Sequence, residues 1–144
     1  MNVLVPVKVM KTIVLSLAIA MTCINALPGN GEEAIEIAGA WASDSAACEK
    51  LFVKKAGRTV FASDADMYGK GLIFEGNQIK GKTATCNIKM RKKTGEMLNL
   101  IAVCSTDIAV ETTQFALRII NDNRISRTFP GVPEMEMLYE RCAQ

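Results

Sequence analysis

The chain of 144 residues contains no histidine. Zinc sites built from cysteine and histidine, and Ser-His-Asp or Cys-His catalysis, therefore lack a required part. Among its five cysteines there is no Cys-x-x-Cys pair, which argues against a thioredoxin-like redox role. Excess charge of one sign is missing as well. The 17 basic residues include Lys8 and Lys11, which precede the first acidic residue, Glu32; without those two lysines the basic side chains balance the 15 acidic ones. A domain with that balance exerts no global pull on nucleic acid. The leading apolar run, residues 12–21, is shorter than the ~20 residues a spanning helix needs.

What is present starts with that run. Lys8 and Lys11 stand before it, and Ile24-Asn25-Ala26 follows as a small-residue cleavage site. This is the layout of a secretory signal peptide over residues 1–26. Residues 27–33, with Pro28, Gly29, Asn30 and Gly31, read as a flexible lead-in, and residues 34–144 as one β domain. The expected location is periplasmic or secreted, with no transmembrane segment in the mature chain. Lipidation of Cys23 is the competing expectation. The residues before it, Ala20-Met21-Thr22, fit a lipidation site poorly.

Removal of Cys23 leaves Cys48, Cys86, Cys104 and Cys142. An even set in an exported domain reads as two disulfides. Pairing Cys86 with Cys104 sets Ile88 opposite Ala102 and Met90 opposite Leu100, so one face of that hairpin is apolar throughout. Cys48 and Cys142 then join an early helix to the C-terminal end. Two other connectivities satisfy the count, and the register favours this one.

The rest of the chain alternates. Residues 34–42 read as a strand, and Ser43 or Asp44 caps a short helix through about Lys54, ended by Gly57. Short strands follow over residues 59–62, 72–75, 78–80, 82–91, 97–105, 108–120 and 124–129, with Gly76-Asn77 as a hairpin turn. Residues 130–133 break the pattern, and 134–142 end as a short helix or strand. The expected fold is mainly β with one or two short helices. Its small antiparallel sheet curls into a barrel or half-barrel held by two disulfides.

Candidate functional residues are sparse. Asp64, Asp66 and Tyr68 share a polar loop without calcium-loop spacing. Lys89, Arg91, Lys92 and Lys93 form a basic hairpin tip without interleaved aromatics. An inward cavity would be lined by Trp41, Phe115 and Leu117, with Arg127 in phase with Ile125 and Phe129. The expected function is a non-catalytic interaction or inhibitor-type module for an envelope or extracellular protein. The alternative is a barrel for a small apolar ligand. No cofactor or metal is expected.

Two resemblances bear on this reading. Gly39-Ala40-Trp41 resembles the Gly-x-Trp that opens the first strand of lipocalins and related ligand-binding barrels. The resemblance implies a tryptophan closing one barrel end against an arginine from a late strand, a part for Arg127. The plainer expectation is that Trp41 is a core aromatic and Arg127 lies at the rim. More broadly, residues 35–142 resemble a group of small exported alphaproteobacterial proteins. The shared features include Gly39-Ala40-Trp41-Ala42, Cys48 with Leu51-Phe52, and Tyr68-Gly69-Lys70-Gly71. The stretch from Glu75 to Lys82, Cys86, Cys104, Phe129-Pro130 and Tyr139-Glu140-Arg141-Cys142 complete them. That resemblance implies export and paired cysteines and brings no activity with it.

Overall fold

The computed structural model describes residues 37–143; the expected signal peptide and lead-in lie outside the described residues. Ten strands are joined mostly by tight turns. They are β1 (Gly39–Ala42), β2 (Phe52–Lys55), β3 (Arg58–Phe61), β4 (Gly71–Glu75), β5 (Gln78–Lys80), β6 (Thr85–Thr94), β7 (Met97–Ser105), β8 (Val110–Asn121), β9 (Arg124–Phe129) and β10 (Val132–Arg141). One helix, α1 (Cys48–Leu51), precedes β2. Eight strands form a closed antiparallel barrel in the order β1-β10-β9-β8-β7-β6-β5-β4, while β2 and β3 pair only with each other. The barrel is thus an up-and-down meander whose first crossover, residues 43–70, carries the separate hairpin. Closure leaves the barrel sheet without a free edge.

Period-two alternation puts one side of each barrel strand inside. The interior cluster includes Trp41, Leu72, Phe74, Ile79, Ile88, Leu100, Phe115, Leu117, Ile125 and Tyr139. A second apolar cluster lies outside the wall. There Ala40, Ala42 and Ile73 point out from β1 and β4 against Leu51, Phe52 and Ala65. Small residues on β1 let this layer approach closely. Gly71 does the same on β4, because a Cβ there would fall 2.8 Å from Phe52 Cζ and 3.1 Å from Phe61 Cε1.

Both disulfides form as the register favours. Cys86–Cys104 joins facing residues of β6 and β7 inside the barrel. Cys48–Cys142 spans 94 residues and ties α1, in the outer layer, to the residue after β10.

Four expectations need correction. The helix stops at Leu51 rather than near Lys54, because Phe52 leaves it to pair with Phe61 across the β2–β3 hairpin, ring centroids 5.0 Å apart. Gly57, at φ +76°, belongs to that hairpin turn together with Ala56 at φ 50° and does not cap a helix. Asp44, one of the two expected caps, caps the 3₁₀ turn Ser45–Ala47 that leads into α1, its carboxylate accepting from the Ala46 backbone N–H at 2.9 Å, while α1 itself has no side-chain cap among the described residues. In the disulfide hairpin, Cys86 faces Cys104 and Ile88 faces Ala102 as expected, but a bulge between Ile88 and Met90 then sets Met90 opposite Ile101 and Arg91 opposite Leu100. A bulge adds a residue to one strand and reverses which side chains face in. Met90 therefore points outward and Arg91 takes the inner position. Finally, β6 continues through Thr94; of the two readings left open for residues 134–142, the strand forms, as part of β10.

Candidate functional site

Topology places the turns at 76–77, 95–96 and 122–123 at one end of the barrel. Those at 81–84, 106–109 and 130–131 lie at the other. The two ends differ in chemistry. At the first, Arg141 is the direct register partner of Trp41, and its guanidinium carbon lies 4.3 Å from the indole centroid. Trp41 is fully buried, and its Nε1 donates to the Ile37 carbonyl at 2.8 Å. Arg141 also donates to the carbonyls of Ala38 and Asp122. Arg91, turned inward by the bulge, donates to the Gly76 carbonyl and the Asn77 side chain. This end is closed by arginines that bond to backbone and turn groups.

At the second end, exposure rises along the inner face of β9, from buried Ile125 through Arg127 to Phe129, both partly exposed. Arg127 points inward, as its phase with Ile125 and Phe129 implied. Its guanidinium carbon is 4.4 Å from the Phe115 ring centroid and 4.7 Å from that of Phe129, a cation stacked on two aromatic rings. Its register neighbours are Leu117 on β8 and Met137 on β10. Tyr139, nearly buried, donates its hydroxyl to the Met137 sulfur at 2.9 Å. Burial pushes the Tyr139 phenol up from its ordinary value, partly offset by the charge and hydrogen bond of Arg127. The Nε of Arg127 is closed to solvent and has no hydrogen-bond partner among the described residues.

Of the four expected lining residues, Trp41, Phe115 and Leu117 share the interior cluster, and Arg127 lies against Phe115 and Leu117. The arginine over Trp41 is Arg141 from the last strand, and not Arg127. Sequence reasoning also missed Phe129, Met137 and Tyr139 as neighbours of Arg127. The signal was there: Met137, Tyr139 and Arg141 alternate with Glu136, Leu138 and Glu140, a period of two hidden by the helix-or-strand ambiguity of residues 134–142.

The outer wall holds two further features. Ser126 is fully buried beneath Arg118 and Glu136; its hydroxyl accepts from Arg118 Nε at 3.4 Å and bonds the Glu136 carboxylate. Those bonds, the first from Ser126 and the second from Arg118, hold the Glu136 carboxyl below the usual range. The hydroxyl is thus a wall component, spent on its neighbours. Across β6–β8 runs an apolar stripe. Met90 faces Ile101, Val103 follows on the same face of β7, and Val110 pairs with Ser105 beyond it. Met90 is 58% exposed, Ile101 37% and Val110 70%, and Ile108 in the adjoining loop is 96% exposed. Between the β2–β3 hairpin and the barrel lies a groove of about 580 Å³, lined in part by Ala40, Phe52, Val53, Lys54 and Cys142.

No family model matches the chain, and no curated protein or solved structure matches it. The fold and its bonds define the class: a closed eight-stranded antiparallel β-barrel pinned by two disulfides. Among the described residues no helix is long and apolar enough to cross a membrane.

Proposed function

We propose that this protein is an exported, non-catalytic interaction module, of inhibitor type, that presents the outer face of β6–β8 to an envelope or extracellular protein. The observation that carries this reading is the stripe of Met90, Ile101, Val103, Val110 and Ile108. Contiguous exposed apolar surface on a rigid sheet is informative where scattered apolar residues are not. Lys89 and Lys92 stand exposed beside it. The fitting partner therefore has an apolar centre with an acidic rim.

Two further observations support the reading. The barrel interior is apolar while its outer wall carries the Arg118–Glu136 and Arg124–Glu140 ion pairs. That is the reverse of a lipid-spanning barrel, with its apolar outer band and polar lumen. Two disulfides suit an oxidising compartment. The alternative, a lipocalin-like barrel holding an apolar ligand deep inside, needs space where Leu100, Leu117 and Ile125 now pack at 0% exposure.

The test combines location with capture. Fractionation and intact mass should find the chain outside the cytosol and lacking residues 1–26. A photo-crosslinker at position 110 should trap a discrete envelope or extracellular protein, and Ile101→Glu should abolish the adduct while leaving the melting temperature unchanged. A cytosolic chain retaining Met1, or an adduct indifferent to Ile101→Glu, defeats the proposal.

A further inference from the structure

We propose that the barrel end bearing Arg127 binds a small organic monoanion: a carboxylate on an apolar tail, its head gripped by the Arg127 guanidinium and its tail laid against Phe129 and Met137.

The argument begins with charge. A guanidinium taken out of water is unfavourable unless it is paired. The other arginines of the barrel strands have partners: Arg118 lies on Glu136 and Arg124 on Glu140, while Arg91 and Arg141 bond to turn and backbone groups. Among the described residues no carboxylate pairs with Arg127. Two aromatic faces and one phenol stand in its place. The rings offset part of the lost hydration but accept no hydrogen bond in the plane of the fork, where an arginine has five N–H donors. One of them, on Nε, is unused among the described residues.

The geometry then selects the ligand. With its guanidinium carbon 4.4 Å from one ring centroid and 4.7 Å from the other, the side chain is confined before anything binds. A planar carboxylate matches that fork with two parallel hydrogen bonds. A phosphate dianion would ask for a second cation, and the register neighbours of Arg127 are Leu117 and Met137. The surroundings of the head site are aromatic or thioether, which suits an apolar tail. The side chain is partly exposed while its Nε is closed to solvent, so a ligand reaches the fork at its terminal nitrogens without the barrel opening. The buried interior below keeps the tail short, across the mouth and not down the axis.

Octanoate is the probe, titrated into the full nitrogen-15-labelled chain with both disulfides intact and followed by NMR. Binding should shift the amide signals of Arg127, Phe129 and Met137. Octanol, the same tail without the charge, should bind at least about tenfold more weakly. Arg127→Lys keeps the charge but loses the fork, and should weaken octanoate several-fold. Arg127→Met should erase the preference for octanoate over octanol. Melting curves establish that each variant is folded, and if Arg127→Met does not fold, the lysine variant decides. Equal affinity for octanoate and octanol, shifts confined to the far end near Trp41 and Arg91, or no shifts at millimolar octanoate would each overturn the proposal.

Discussion

Arg141 lies over the indole of Trp41 at 4.3 Å, and the two residues face each other where the last barrel strand meets the first. This contact stands at the shortest seam of the barrel. β1 and β10 share the pairs Trp41↔Arg141 and Ala42↔Glu140, whereas β6 and β7 pair from Thr85↔Ser105 to Thr94↔Met97. Closure of the sheet therefore depends on side chains as well as on the ladder.

Replacing Arg141 by Met tests that dependence. It removes the stacked cation and the bonds to the Ala38 and Asp122 carbonyls. The loss should be about 2 kcal/mol, from a desolvated cation–π contact plus two carbonyl bonds less the apolar packing that Met retains. Trp41 is the single tryptophan, so its fluorescence reports the site directly. Its emission should shift to the red, and the urea midpoint should fall. An unchanged midpoint would mean that the ladder alone closes the barrel.

The two disulfides should differ in weight. Closing loops of 94 and 18 residues restricts the unfolded chain by about 4.7 and about 3 kcal/mol on a chain-entropy reckoning. Cys48→Ala with Cys142→Ala should therefore lower the denaturant midpoint more than Cys86→Ala with Cys104→Ala. The interior position of Cys86 and Cys104 narrows the gap, since their removal also leaves a cavity. Hydrogen exchange should separate the mechanisms. Loss of Cys48–Cys142 should first unprotect β1 and the end of β10, where Cys142 N–H donates to the Ala40 carbonyl at 2.9 Å. Equal midpoints would show that packing outweighs chain closure.

Gly71→Ala should dislodge the outer layer. The added methyl meets the Phe52 ring at 2.8 Å and the Phe61 ring at 3.1 Å, so the β2–β3 hairpin must move off the wall. A cost of about 1–3 kcal/mol is expected for such overpacking. Cross-peaks between Phe52 and Ile73 should weaken in NMR while those between Leu100 and Leu117 persist. Loss of both sets would show that the outer layer and the barrel fold as one unit.

Acid should loosen the outer wall before the core. Hydrogen bonds from Lys80 and Arg58 hold the Glu75 carboxyl down, those from Ser126 and Arg118 hold Glu136 down, and those from Ser45 and Arg124 hold Glu140 down. A carboxyl lowered in the folded state contributes stability that is complete above its unfolded pKa and is lost as pH falls through the folded one. Glu75 and Glu136 are exposed and Glu140 partly so, so each effect is small and salt-sensitive. Stability should be flat from neutral pH down to the ordinary glutamate range and decline below it. Glu136→Gln should flatten part of that decline. A decline beginning near neutral pH would point to some other group.

The amino-acid sequence by itself determined the local elements whose partners are near in the chain. Gly76-Asn77 turns β4 into β5 because glycine tolerates its φ of +56° there. Cys86 and Cys104 face each other because one face of that hairpin is apolar, and a one-residue slip would turn it to water. The phase of Arg127 with Ile125 put its side chain inside. Tertiary structure alone decided what depends on distant neighbours. Phe52 left its helix for Phe61, because Gly71 on the barrel wall offers room for both rings. The bulge after Ile88 sent Met90 out to Ile101 and brought Arg91 in toward Gly76 and Asn77, although the alternation through Arg91 gave no sign of a break. Closure set Arg141 on Trp41 and left Arg127 between Phe115 and Phe129. Either arginine has the right phase to face inward, and only the order of strands around the barrel selects which ring each one meets.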